Sequence, residues 1–263
     1  MAGGTVYTGN YRGTIDALNA STGAVLWTFA TGGPVQASPA VSGGTVYVGS
    51  FDHHVYALNA STGAVRWTFT IRSYVIASAV VTGGTVYVAG TDFNVYALNA
   101  ATGALRWTYT AGNSINATPA VAGGMVYVAS IDHNVYALDA ATGHLRWTYT
   151  TGDSVNSSPT VAGGIVYVGS DDGKLYALDA ATGQLRWAYT TGGLFSSSPA
   201  VAGGNVFIGS ADHKVYALDA ATGRLLGTYT TGGSVNSSPA LAGSILYIGS
   251  DDGKVYALAA AGS

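Results

Sequence analysis

The sequence has 263 residues, with 10 basic and 13 acidic side chains and a net charge of -3. No basic block occurs, so neither nucleic acid nor an anionic membrane surface is an expected partner. Cysteine is absent, which excludes disulfides, thiolate metal sites and a cysteine nucleophile. No apolar run reaches the roughly 18 residues that a membrane-spanning helix needs.

A repeat of 40 residues runs through the chain. Gly-Gly pairs that begin at Gly43, Gly83 and Gly123 are each followed by a β-branched and aromatic run, and the spacing of 40 residues never slips. Counted from Gly3 to the end, the sequence holds six full units and about half of a seventh. A period of this length indicates stacked supersecondary units, and we predict one repeat domain over residues 1–263.

Each unit predicts four short strands, labelled A to D in chain order, because β-branched and aromatic runs alternate with Gly, Asp and Thr at turns. Four antiparallel strands in about 40 residues are typical of a β-propeller blade, so the predicted fold class is all-β. The hairpin turns argue against a β-solenoid of parallel strands, and no helical periodicity occurs. In one unit the predicted strands are Val155–Ala162 (A), Ile165–Ser170 (B), Lys174–Ala180 (C) and Leu185–Thr191 (D).

The number of blades follows from where the strands begin and end. The first unit starts at a B strand and the last stops after a C strand, which gives 26 predicted strands. We favour seven blades, the first without its A strand and the last without its D strand. The alternative is six blades, in which Val235–Ala259 pairs with N-terminal strands and a hairpin is left over or exchanged with a second chain.

A motif at the turn between strands C and D identifies a family resemblance. The stretch Ala177 to Trp187, Ala-Leu-Asp-Ala-Ala-Thr-Gly-Gln-Leu-Arg-Trp, resembles the tryptophan-docking motif of pyrroloquinoline quinone (PQQ) type propellers. The resemblance covers essentially the whole chain and implies that each tryptophan packs on the turn glycine of a neighbouring blade. Gly227 replaces the sixth tryptophan, which predicts the weakest blade junction there. The predicted docking residues are Trp27, Trp67, Trp107, Trp147 and Trp187.

Differences among the repeats fall in the B–C turn and the D–A connection, which strand alternation puts on one face. In propellers that face commonly surrounds the mouth of the central channel, where ligands bind. Aromatics, amides and hydroxyls suit a polar, planar or sugar-like ligand, and the alternative is that they only hold water at the channel mouth. The predicted ligand-binding residues are Arg72, Tyr74, Gln36, Asn116, Asn156, Phe195, Ser196 and Asn236.

Three histidines each follow an aspartate in a B–C turn: His53, His133 and His213. They belong to alternate units, so they are not expected to converge to about 2 Å from one ion, and we predict no metal site. They occupy the position that Gly173 and Gly253 hold in other units. This exchange predicts a left-handed backbone conformation, which histidine tolerates better than most residues.

The PQQ-type resemblance raises a quinone-dependent dehydrogenase as a less favoured alternative. The resemblance implies that such enzymes use vicinal cysteines, a tryptophan floor and a calcium held by Glu and Asn. This sequence has no Cys and no Glu, and every tryptophan falls in the docking motif. No Ser, His and Asp set stands apart from the repeat to indicate a hydrolase. We therefore expect no cofactor and no enzymatic activity.

Two non-enzymatic functions remain open. One is a binding module for a small molecule or protein, similar to the extracytoplasmic domains of some bacterial kinases and to outer-membrane assembly lipoproteins of the same repeat class. The other is a structural scaffold without a ligand, made of amplified or designed repeats. Repeat regularity favours the scaffold, and the clustering of differences favours the binder. We expect a monomer, with a strand-exchanged dimer as the alternative, because near-identical strands pair interchangeably.

Overall fold

The computed structural model describes residues 2–259, and within that range it contains 26 β-strands in seven antiparallel sheets. The first four sheets are β1 (Thr5–Gly9), β2 (Thr14–Asn19) and β3 (Val25–Ala30); β4 (Ala40–Ser42), β5 (Thr45–Gly49), β6 (His54–Asn59) and β7 (Val65–Thr70); β8 (Val80–Thr82), β9 (Thr85–Ala89), β10 (Asn94–Asn99) and β11 (Leu105–Thr110); and β12 (Ala120–Ala122), β13 (Met125–Ala129), β14 (Asn134–Asp139) and β15 (Leu145–Thr150). The last three are β16 (Thr160–Ala162), β17 (Ile165–Gly169), β18 (Lys174–Asp179) and β19 (Leu185–Thr190); β20 (Ala200–Ala202), β21 (Asn205–Ser210), β22 (Lys214–Asp219) and β23 (Leu225–Thr230); and β24 (Ala240–Ala242), β25 (Ile245–Gly249) and β26 (Val255–Ala259).

The strand count confirms the prediction of seven blades. Within residues 2–259, five sheets have four strands, while the first lacks an A strand and the last lacks a D strand. The six-bladed alternative is wrong, because the segment Val235–Ala259 supplies the separate sheet β24-β25-β26. Among these residues no helix is long and apolar enough to cross a membrane.

The chain divides into two compact units. The first comprises Met1–Val121 with Ala140–His144, and the second comprises Ala122–Asp139 with Leu145–Ser263. The single domain expected for residues 1–263 stays a prediction.

Within each four-stranded sheet the B strand lies most deeply in the core. All five residues of β17, Ile-Val-Tyr-Val-Gly, are buried, as expected for a β-branched run that is covered on both faces. The D strand β19 alternates between exposed and half-buried residues. Pairing between C and D strands carries a bulge, in β18 between Ala177 and Leu178, and a bulge of this kind increases the local twist.

The predicted docking tryptophans pack as the motif implies. Trp147 Nε1 donates to the backbone oxygen of Ala180 at 3.0 Å. A Cβ built on Gly183 would lie 2.6 Å from the Trp147 ring, and the φ of Gly183 is 73°. Only glycine allows both this close approach and this left-handed backbone. The same hydrogen bond recurs from Trp27, Trp67, Trp107 and Trp187 to Ala60, Ala100, Ala140 and Ala220.

The A strands are shorter than predicted. The strand expected over Val155–Ala162 occupies only Thr160–Ala162. Pro159 has no N–H to donate, and the hydroxyl of Ser157 accepts the hydrogen bond from Gly169 N at 3.2 Å. The N–H of Ser158 donates to the hydroxyl of Ser198 in the following repeat, at 2.9 Å. Side-chain hydrogen bonds thus replace part of the backbone hydrogen-bond ladder of the A strand. The B, C and D strands of this unit each end one residue earlier than expected.

The prediction of a left-handed turn at the histidines is confirmed. The φ angles of His53, His133 and His213 are 72°, 74° and 69°, close to the 78° of Gly173 at the equivalent position. Phe93 adopts the same conformation, with a φ of 72°. These side chains therefore occupy a backbone position that glycine fits with less strain.

Candidate functional site

The B–C turns lie directly against the D–A connections, so the two variable loops share one face. Asp52, in the turn between β5 and β6, accepts hydrogen bonds on Oδ2 from Gly32 N at 2.7 Å and from the Tyr56 hydroxyl at 2.6 Å. The second unit repeats the contact, where Asp172 Oδ2 accepts from Gly152 N at 2.9 Å. A carboxylate in the turn therefore anchors the preceding connection in both units.

Hydrogen bonding sets the charge state of this anchor. Burial alone would raise the pKa of the Asp52 carboxyl, but donation from Tyr56 and from the backbone of Gly32 and His54 outweighs it and lowers the pKa below 3.8. Burial, together with the hydrogen bond to Asp52, raises the pKa of Tyr56. Asp52 is thus an anion and Tyr56 a neutral donor at neutral pH, which keeps the loop anchored.

The second repeat carries an aromatic cluster, formed by the half-buried Phe51 and the exposed His53 and Tyr74. The rings of Phe51 and Tyr74 are stacked, with centroids 5.0 Å apart and planes 25° apart. His53 meets Tyr74 edge-on at 5.4 Å. The backbone oxygen of Tyr74 accepts a hydrogen bond from Thr91 N at 3.0 Å, while the Tyr74 residue remains 46% exposed. The cluster is thus positioned by backbone contacts, and its Tyr74 and His53 rings are open to solvent.

Arg72 lies two residues before Tyr74 and is exposed. Its backbone N–H donates to Asp92 Oδ2 at 3.2 Å, which is the same anchoring contact that Gly32 makes with Asp52. The predicted pair Arg72 and Tyr74 therefore lies on one short connection, and the sequence interpretation missed Phe51 and His53 as their neighbours. The available signal was an aromatic residue at a turn position where the later repeats carry Thr, Ile, Asp or Ala and where the first repeat carries Tyr11.

The predicted amide and hydroxyl residues divide between the units. Gln36 is exposed and Asn116 half-buried in the first unit, while Asn156, Ser196 and Asn236 belong to the second. Asn156 donates to Asp171 Oδ2, and Asn236 donates to Asp251 Oδ2, both at 2.8 Å. Asn156 and Asn236 are thus bonded to turn carboxylates, and the ring of polar groups stays a prediction.

Phe195 requires a correction. Its side chain is 0% exposed and belongs to the core cluster that contains Tyr167, Leu175 and Ile208. It occupies the register position that Val155 and Val235 hold in neighbouring repeats, both of them fully buried. A large apolar side chain at a core position is buried by the hydrophobic effect, so Phe195 stabilises the second unit and is not a surface ligand contact.

The second unit has an acidic turn with an unusual carboxyl group. Oδ1 of Asp171 is buried with no hydrogen-bond partner within residues 2–259. Burial raises the pKa of Asp171 above 3.8; the hydrogen bond from Asn156 opposes this, and the nearby Asp153 and Asp172 carboxylates reinforce it. This group is therefore a source of native-state instability at neutral pH.

Seven antiparallel sheets, with five tryptophans that each pack on the turn glycine of the next repeat, define a β-propeller of the PQQ type. The family described as outer membrane protein assembly factor BamB matches residues 1–79 and 71–260, and the chain belongs to this family.

Solved structures agree with this assignment. BamB from Moraxella catarrhalis is 25% identical with a TM-score of 0.85, and the match covers 97% of this chain and 81% of that chain. The computationally designed Ika8 protein is 21% identical with a TM-score of 0.90, covering 98% of this chain and 81% of that one, and it shows the fold alone. No curated protein matches the sequence. Together the matches support a β-propeller fold built from the repeats of this family.

Proposed function

We propose that this propeller is a non-catalytic protein-binding module that holds an extended segment of a partner chain against the aromatic cluster and Arg72. The observation that carries the proposal is the exposed Tyr74 ring, which is stacked on the half-buried Phe51 and meets the exposed His53 edge-on. Stacked aromatic rings that remain open to solvent are typical of binding surfaces, since they offer a large apolar area with little rotamer entropy to lose.

The chemistry of the cluster suits a peptide better than a small polar ligand. Tyr and Arg are the residue types that most often dominate binding energy at protein interfaces. The flat ring pair accepts an apolar or aromatic side chain, and the exposed Arg72 offers a planar guanidinium that binds a carboxylate in bidentate geometry. We therefore propose a partner segment with one aromatic or large apolar residue near an acidic one.

The family supports a protein partner. Its description is an outer membrane protein assembly factor, and an assembly factor acts on other polypeptides. We accordingly propose an extracytoplasmic location for this chain and a protein as its partner.

A second candidate function is a scaffold without a ligand. The observation that favours it is a set of hydrogen bonds repeated at the 40-residue step, from Ser38 N to Ser78 Oγ and from Ser78 N to Thr118 Oγ1 in the first unit. The second unit repeats them from Ser158 N to Ser198 Oγ. Such regularity needs no ligand, as in repeat proteins whose neighbours stabilise one another.

A random peptide library displayed on phage separates the two functions. Wild-type protein is the bait, and enriched peptides are then measured against Tyr74→Ala and against Leu105→Ala, which truncates an exposed apolar residue outside the cluster. We expect enriched peptides with an aromatic and an acidic residue, whose Kd rises about tenfold or more with Tyr74→Ala, equal to about 1.4 kcal/mol. The Leu105→Ala control should leave the Kd unchanged.

Two outcomes would contradict the binding proposal. One is a library that yields no enriched peptide on the wild-type protein. The other is a set of peptides whose binding is equal for wild type and for Tyr74→Ala. Either result leaves the scaffold as the better description, because the stacked rings would then contribute only to the loop that carries them.

A further inference from the structure

The sixth repeat has lost two hydrogen-bond donors together. In the fifth repeat the Tyr167 hydroxyl and the Trp187 Nε1 both donate to the backbone oxygen of Ala220, at 2.9 and 3.0 Å. In the sixth repeat the equivalent residues are Phe207 and Gly227, which carry neither group. The indole ring and the hydroxyl that accompanies it are therefore both absent from one blade.

The space of the missing indole is open. A Cβ built on Gly227, which stands at the position of Trp187 in the preceding repeat, meets no atom within 4 Å. A cavity of about 270 Å³ adjoins Gly227. Its walls include Phe207, Val215, Ala217, Tyr229, Leu246 and Leu258.

These walls are equivalent to residues of the apolar cluster that holds Trp187 in the preceding blade. Each of the six lies 40 residues after a member of the apolar cluster that holds Trp187, namely Tyr167, Leu175, Ala177, Tyr189, Val206 and Leu218. The sixth repeat thus keeps an apolar residue at each of these six positions while lacking the indole. The backbone at Gly227 is exposed and Tyr229 is 43% exposed, so the cavity is open to solvent.

We propose that this cavity, named here the Gly227 pocket, is a binding site for a small planar aromatic molecule of about the size of indole. Apolar cavities of about 150 Å³ in protein cores bind benzene, and the Gly227 pocket has room for a bicyclic ring. Burial of the ring against these aliphatic and aromatic walls supplies the driving force. The pocket lies within the second unit and involves no residue of the aromatic cluster, so its test is independent of the proposed protein binding.

Indole itself is the probe. Binding to the purified protein is measured by isothermal titration calorimetry and by ligand-observed NMR. We expect one site on the wild-type protein and at least tenfold weaker binding in Gly227→Trp, in which the repeat's own side chain fills the space. Gly227→Leu is a second filling variant in case the tryptophan disturbs folding.

A matched control is Leu226→Arg, which restores the residue that the repeats carry at Arg146 and Arg186 but lies outside the pocket lining. It should bind indole as the wild type does. Circular dichroism establishes that each variant is folded.

Three results would overturn the proposal. The first is no indole binding to the wild-type protein up to the solubility limit. The second is binding that is equal in the wild type, Gly227→Trp and Gly227→Leu. The third is self-association of the wild type, seen by light scattering and abolished in Gly227→Trp, which would assign the pocket to a second copy of the chain.

Discussion

The backbone oxygen of Ala180 joins two blades by accepting two hydrogen bonds. The Tyr127 hydroxyl and the Trp147 Nε1 both donate to it at 3.0 Å, and no other donor reaches it in the described part of the chain. Ala180 is buried and Trp147 is 9% exposed. A double-mutant cycle with Tyr127→Phe and Trp147→Phe therefore tests how the junction is stabilised.

The expected magnitudes follow from the shared acceptor. Tyr127→Phe removes one of two donors and should cost about 0.5–1.5 kcal/mol. Trp147→Phe should cost less than the roughly 3–5 kcal/mol of a truncation to alanine, because an aromatic ring remains. The double variant leaves the buried carbonyl without a donor, which adds a penalty of about 1–3 kcal/mol that neither single variant suffers. We expect a coupling free energy of about 1–2 kcal/mol.

Urea unfolding monitored by circular dichroism measures the free energy of unfolding for the four proteins. The slope of the unfolding free energy against urea concentration must be equal for the wild type and the three variants, so that the differences report stability and not a change in the unfolded state. A double variant whose loss equals the sum of the single losses within about 0.5 kcal/mol would refute the shared-acceptor explanation.

Three further predictions concern single turns. His133→Gly should raise the free energy of unfolding by up to about 1 kcal/mol, because glycine adopts the φ of 74° with less strain; a lower urea midpoint would contradict this. Gly183→Ala should destabilise by at least about 1 kcal/mol more than Gly164→Ala. Both glycines have a positive φ, but only the Gly183 Cβ would meet the Trp147 ring. If urea unfolding showed the same loss of unfolding free energy for both variants, the steric cause would be excluded. Asp171→Asn should raise the melting temperature at neutral pH. The folded-state pKa of Asp171 is raised. The contribution of Asp171 to the stability of the fold is therefore fully present below about pH 4 and is lost as the pH rises through that folded-state pKa. The variant's advantage over wild type should therefore shrink on acidification, and an advantage that is constant with pH would contradict the assignment.

Local sequence determined most of the fold. The 40-residue step, the β-branched runs and the turn glycines predict the seven sheets and their strand order, because hairpins depend on residues close in the chain. The docking tryptophans were identified for the same reason, since their motif places the ring and the turn glycine at constant positions in the first five repeats. The left-handed histidines followed from their exchange with glycine at Gly173 and Gly253.

Tertiary packing decided the rest. Phe195 is an aromatic residue in a variable loop, and only the packing of neighbouring sheets places it in the core; the apolar residues Val155 and Val235 at the same register position were the available signal. The short A strands depend on serine hydroxyls that replace the ladder, a competition between side chain and backbone that composition does not resolve.

The two binding proposals depend most strongly on tertiary structure. The stack of Phe51 on Tyr74 joins residues 23 positions apart on different loops, so its geometry depends on how one blade packs against the next. Gly227 was visible in the sequence as a missing tryptophan, but whether the gap would collapse or stay open depends on the surrounding backbone. The walls remain in place because the other contacts of the sixth and seventh sheets hold them there, and a rigid core does not close around one deleted side chain.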